Sequence, residues 1–163
     1  MMLLQSATAG IAATPGMVLL AFGDSITDGW VSFSSGPQDR YATHLQNALA
    51  EYDMQADIRV LGQAGMQAAG ALGTLKTHLA QHSYDAVITL LGTNDLYSAF
   101  SQGQLPPPEA YDLTLRHLQT LHSAVRDAGA RPVALGLLHH PIFDAVPGGC
   151  AAVAAFNVRT LHK

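Results

Sequence analysis

The sequence predicts one α/β domain built on an open parallel sheet. Four short apolar runs lead there, at residues 17–22 (MVLLAF), 56–61 (ADIRVL), 86–91 (AVITLL) and 132–138 (PVALGLL). Each is leucine-rich or β-branched and bounded by Gly, Asp or Pro, the pattern of a strand buried on both faces. Stretches with apolar spacings of three and four separate the runs, so strands alternate with helices. The length of 163 residues fits about one domain, and 48% hydrophobic against 12% charged residues rules out disorder.

The elements follow in order. Residues 17–22 form the first strand. Tyr41, Leu45, Ala48, Leu49 and Tyr52 then mark a helix. The run at 56–61 carries Asp57 and Arg59, which suits an edge strand. Leu72, Leu75 and Leu79 mark the second helix and residues 86–91 the third strand. Residues 97–108 (YSAFSQGQLPPP) read as a loop, too rich in Pro and Gly for a helix, and a candidate substrate lip. Pro108 suits the first turn of a helix that buries Leu115, Leu118, Leu121 and Val125 and ends at Gly129. After the strand at 132–138, a last helix spans 149–162 with Val153, Phe156 and Leu161. The order β-α-β-α-β-α-β-α implies right-handed crossovers and helices on both faces.

Composition excludes several functions. The formal charge is −4 and no basic run occurs, so neither nucleic acid nor a membrane surface is an expected partner. Cys150 is the single cysteine, which excludes an internal disulfide. No window reaches about 18 consecutive apolar residues, the length a membrane-spanning helix needs. Residues 1–16 (MMLLQSATAGIAATPG) form a small, apolar leader. It lacks the positive start and apolar centre of a signal peptide and is expected to be poorly ordered. The compartment is left open, and residues 17–163 form the single domain.

Sites in such sheets lie at the carboxyl ends of the strands. The polar blocks of this chain collect there. The first strand runs into Gly23-Asp24-Ser25-Ile26-Thr27-Asp28-Gly29, the second into Gly62-Gln63-Ala64-Gly65. The third runs into Gly92-Thr93-Asn94-Asp95, the fourth into His139-His140-Pro141. Ser25 opens a helix, among backbone N–H groups, where a serine serves as a nucleophile or as a plain cap. Gly65 brings a bare N–H close to a reacting oxygen or simply makes a turn. Asn94 donates an amide N–H to an oxyanion or caps a helix. Three donors then surround one oxyanion: the Ser25 N–H, the Gly65 N–H and the Asn94 side chain.

The block Gly23-Asp24-Ser25-Ile26-Thr27-Asp28-Gly29 resembles the first block of the SGNH (GDSL-type) serine esterases and lipases. Gly92-Thr93-Asn94-Asp95 is similar to their Gly-x-Asn-Asp block, and Gln63-Ala64-Gly65 to their second block, with Gln63 in place of asparagine. The resemblance covers about residues 17–163. It implies a flavodoxin-like three-layer α/β/α sandwich and hydrolysis of small, short-chain acyl or acetyl esters through a serine acyl-enzyme. It also implies Ser25 as nucleophile, Gly65 and Asn94 as oxyanion donors, and no metal or cofactor.

The family closes with a fifth strand and an Asp-x-x-His block, which supplies the base and its orienting acid. This chain reads to Lys163 without that block, so the domain is expected to be C-terminally incomplete, lacking the family's last strand. His139 and His140 are the possible substitute bases, with Asp144 to orient one of them. His162 lies on the last helix. His44, His78, His82, His117 and His122 are expected to face solvent.

By the family's strand order, 2-1-3-4-5, loss of the fifth strand leaves the apolar fourth as a bare edge. The chain is then expected either to form a homo-oligomer that covers this edge or to be a fragment of a longer polypeptide. Trp30 and Phe33 line an acyl pocket or simply pack. Asp24 and Asp28 lack the His or Glu neighbours of a metal site. The alternative function is a catalytically disabled SGNH-like binding or scaffold domain without the catalytic histidine. A nucleotide or flavin binder is a third reading, but G-x-G-x-x-G and P-loop motifs are both missing.

Overall fold

The computed structural model describes residues 16–30, 39–138 and 140–161. The strands are β1 (Met17–Gly23), β2 (Ala56–Gly62), β3 (Ala86–Leu90) and β4 (Arg131–Ala134). The helices are α1 (Ser25–Asp28), α2 (Tyr41–Glu51), α3 (Ala71–Gln81), α4 (Thr93–Ser101), α5 (Pro108–Asp127), α6 (Pro141–Asp144) and α7 (Gly149–Leu161). All strand pairs are parallel, in the order β2-β1-β3-β4.

Alternation along the strands sorts side chains between two cores. Leu20, Phe22 and Val87 face one side. There they pack with Leu75 of α3, Leu96 and Phe100 of α4, the Leu115–Leu118–Leu121–Val125 stripe of α5, and Phe156 of α7. Leu19, Ala21 and Ile58 face the other side, against Ala42, Leu45 and Leu49 of α2. Helices therefore cover both faces, as a three-layer sandwich requires.

Two sequence expectations are corrected. The first half of the proposed loop at 97–108 belongs to α4. Leu96 and Phe100 are spaced by four, both are buried, and the Phe100 ring lies 4.9 Å from that of Phe143. Their burial outweighs the breakers, because Gly103 and the prolines fall only after the helix has ended.

The fourth strand is also shorter than the apolar run. It is the sheet edge, yet it ends at Ala134 and not at Leu138. Leu135 still donates its N–H to the Thr89 carbonyl at 2.9 Å. Beyond it the partner is a side chain. Asn157 of α7 accepts from the Leu137 N–H at 2.7 Å and donates to the Leu137 carbonyl at 3.0 Å. Its amide thus takes the position of a neighbouring strand, so the edge is not bare there. Gly136 permits the approach, since a Cβ on it would lie 3.0 Å from the Asn157 Cγ.

Leu137 is buried, so Asn157→Ala would orphan two backbone groups. The expected loss is about 1–3 kcal/mol, read as a lower urea midpoint. An unchanged midpoint would mean that water or another group satisfies Leu137.

Candidate active site

The site begins where β1 meets α1. Asp24 is the cap of α1, with its Oδ1 accepting the Ile26 N–H at 3.0 Å. Ser25 is therefore the first residue inside the helix, half-buried, and its capping role falls to its neighbour. Glycines let α1 sit directly on the strand ends. A Cβ at Gly62 would lie 2.4 Å from the Asp28 nitrogen, closer than any real contact.

The second strand end makes a tight turn. The Met66 N–H donates to the Gln63 carbonyl at 3.0 Å, and Gly65 has φ +76°. Space around Gly65 is open, so backbone conformation and not crowding calls for glycine.

Asn94, in the first turn of α4, ties the three strand ends together. Its Nδ2 donates to the Met66 carbonyl at 3.0 Å and to the Asp24 Oδ2 at 3.3 Å. Ser25, the Gly65 turn and Asn94 thus converge on one place. Both N–H groups of the amide are engaged, so an oxyanion is served only by sharing or exchange.

Asp95 and Gln67 were not singled out from the sequence. Asp95 accepts the Ala68 N–H at 2.9 Å and the Ala69 N–H at 3.4 Å, which pins the loop between β2 and α3. Gln67 donates its side-chain amide to the Asn94 carbonyl at 3.1 Å. The only sequence signal for Asp95 is its place in the block with Asn94.

The Asp24 carboxyl is 1% exposed. Burial pushes it from its ordinary 3.8 up to about 6, against the Ile26 hydrogen bond, and the Asp95 charge adds to the rise. Asp28 is committed elsewhere. It pairs with Arg40 at 2.9 Å and accepts from the Trp30 Nε1 at 3.1 Å. Trp30 is thereby fastened beside α1, whereas Phe33 lies outside the described residues. No group of three or more His, Cys, Asp or Glu among the described residues could hold a metal ion.

The histidines divide. His139 and His162 lie outside the described residues. His140 caps α6, with its Nδ1 accepting the Ile142 N–H at 3.2 Å. With Nδ1 accepting, the ring offers its other nitrogen, Nε2, as the N–H donor. Asp144 receives a hydrogen bond from the Cys150 thiol.

The expectation that the helical histidines face solvent holds for exposed His44 and His82. It fails for His78, His117 and His122, which are partly buried. They flank the apolar stripes of α3 and α5, and the His78 Nε2 lies 2.6 Å from the Tyr84 hydroxyl.

The model of the GDSL-like lipase/acylhydrolase family matches residues 21–160. The chain belongs to the GDSL-like lipase/acylhydrolase family. No curated protein sequence matches it.

Solved structures agree on the GDSL-like fold. The psychrotrophic esterase EstA from Pseudoalteromonas sp. superposes with a TM-score of 0.63 at 17% identity, over 88% of this chain and 71% of its own. AlinE4, an SGNH-hydrolase family esterase, gives 0.63 at 23% identity, over 93% and 77%. A carbohydrate acetylesterase family member from Sinorhizobium meliloti gives 0.63 at 20%, over 88% and 76%. In this GDSL-like chain, as in the resemblance read from the sequence, the motif blocks stand at the carboxyl ends of parallel strands.

Proposed function

We propose that this chain hydrolyses small acyl or acetyl esters through Ser25. The observation that carries the reading is the Asn94 amide, bonded at once to Asp24 beside the nucleophile and to Met66 beside Gly65. Those two bonds tie together the strand ends that carry Ser25, Gly65 and Asn94, which supports the reading. The carbohydrate acetylesterase among the structural relatives makes acetyl esters the first class to test.

The Ser25 oxygen attacks the ester carbonyl carbon as its proton passes to a base. The carbonyl π electrons move onto oxygen, which the Ser25 N–H, the Gly65 N–H and the Asn94 amide receive. Collapse expels the alcohol, which regains the proton, and leaves the acyl group on Ser25. Water then attacks that ester, releasing the acid and restoring the hydroxyl. One such donor is worth on the order of 3 kcal/mol. His139 is the first base to test, because the Nδ1 of His140 is taken by its cap.

The experiment is p-nitrophenyl acetate hydrolysis at pH 8 by the chain and by Ser25→Ala, followed by His139→Ala and His140→Ala. Ser25→Ala should fall to the buffer rate. His139→Ala should lose at least a hundredfold, since a positioned base contributes about 10²–10⁴. A wild-type rate equal to that of Ser25→Ala would reject catalysis. It would favour the second reading, a binding domain of the same fold, which the engaged Asn94 amide also fits.

A further inference from the structure

Residues 66–69 lead from the Gly65 turn toward α3, and the first turn of α4 holds them along their whole length. The Asn94 amide donates to the Met66 carbonyl at 3.0 Å, and the Gln67 amide donates to the Asn94 carbonyl at 3.1 Å. The next two residues are held by Asp95. Its carboxylate accepts the Ala68 N–H at 2.9 Å and the Ala69 N–H at 3.4 Å. Bonds to an ionised acceptor are shorter and stronger than neutral ones. Ala68 is buried, so water is a poor substitute for the carboxylate at its N–H.

Gly65 itself is exposed, and nothing lies within 4 Å of where a Cβ on it would stand. Packing therefore does not fix its N–H. The turn is fixed at its two ends instead. Ahead of Gly65, the Gln63 N–H donates to the Gly23 carbonyl of β1 at 3.0 Å. Behind it stand the bonds to α4. Asn94 and Asp95 are neighbours in that helix, so one helical turn carries an oxyanion donor and the anchor of the loop that presents another.

We propose that Asp95 is a positioning residue of the ester site: its carboxylate holds the 66–69 loop so that the Gly65 N–H and the Asn94 amide meet one oxyanion. This role rests on the ester reading above. Asp95 acts through the loop and not on the reacting atoms. A donor displaced from the oxyanion loses most of its worth, because the bond is realised only in the transition state. Loosening the loop therefore lowers kcat and leaves substrate binding nearly unchanged.

The test compares p-nitrophenyl acetate hydrolysis by the whole chain with Ser25→Ala, Asp95→Ala, Asp95→Asn and Asp95→Glu. Each is assayed well below its own melting temperature, which keeps loss of fold out of the rates. Asp95→Ala should lose about ten- to a hundredfold in kcat, with KM within about twofold of wild type. Asp95→Asn keeps an oxygen for the Ala68 N–H but removes the charge that faces Asp24. It should recover most of the lost kcat. Asp95→Glu keeps the charge but moves the oxygens by one methylene, so it should be slower than Asp95→Asn. Should the alanine variant not melt cooperatively, the order of the other two decides alone. Full kcat in Asp95→Ala would overturn this role and leave the ester reading standing. So would Asp95→Glu faster than Asp95→Asn, which assigns the effect to charge, or a change in KM alone, which assigns it to binding. A wild-type rate equal to that of Ser25→Ala would overturn the ester reading and this role with it.

Discussion

Gly23→Ala is expected to be among the most damaging single methyls at the described glycines. A Cβ there would lie 2.2 Å from the Thr27 Oγ1 and 2.4 Å from the Leu90 carbonyl oxygen. Neither neighbour can retreat cheaply. Thr27 is fully buried in α1, and Leu90 belongs to the central strand β3. Ordinary overpacking costs about 1–3 kcal/mol, and values above about 4 mark contacts that nothing relieves. The expected loss lies at or beyond that upper mark, enough to unfold a domain of marginal stability. Circular dichroism and a melting curve on the purified variant would read it. A cooperative melt within a few degrees of wild type would show that α1 can lift off the strand end. The reason is close approach and not backbone sign, since Gly23 is not among the positive-φ glycines.

Asp24→Asn should reverse part of the pH dependence of stability. The wild-type carboxyl titrates near 6 in the fold against an ordinary 3.8. With the folded value raised, its contribution is fully present below 3.8 and is lost as pH rises through about 6. Ionising it in the buried site costs about 3 kcal/mol at pH 7 and above. Asparagine removes that cost. Its oxygen keeps the Ile26 N–H, while its nitrogen faces the Asn94 Nδ2, donor to donor. That second loss is independent of pH.

The stability of Asp24→Asn relative to wild type should therefore improve by about 2 kcal/mol between pH 4 and pH 7.5, because part of the wild-type contribution is already lost at pH 4. Urea midpoints across that range would measure it, and parallel curves would reject it. His78 and His122, whose pKa values burial lowers, act in the opposite sense. Their contribution grows as pH rises toward 6.5, equally in both proteins, so it cancels in the difference. The carboxylate is thus kept at a cost in stability, and what it retains is the hold on Asn94.

Much of this was legible in the chain. Strands with both faces buried appear as unbroken apolar runs, and β1, β2 and β3 match theirs within one residue. Helices with one buried face show spacings of three and four, as α5 does with Leu115, Leu118, Leu121 and Val125. These signals are local, because the solvent on each side of a residue sets its polarity. The blocks holding Ser25, Gly65 and Asn94 were legible for the same reason, since each directly follows its strand.

The misreadings arose where distant residues decided the outcome. In α4, Leu96 and Phe100 find α5 and Phe143, and that burial overrides the breakers that follow. At the sheet edge, a run that reads as strand to Leu138 stops at Ala134, because Asn157, twenty residues beyond Leu137, supplies a hydrogen-bonding partner of its own. His122 reads as a surface residue, yet its Nε2 is buried in the fold.

By itself the sequence determined the layered parallel sheet, the strand ends that carry the site, and the family, because burial period and motif order are written along one chain. Only the tertiary structure decided that Asp24 rather than Ser25 caps α1, that Asn94 joins three strand ends, and that His140 spends its Nδ1 on α6. Hydrogen-bond partners are chosen by distance in space, and spacing along the chain does not encode that distance.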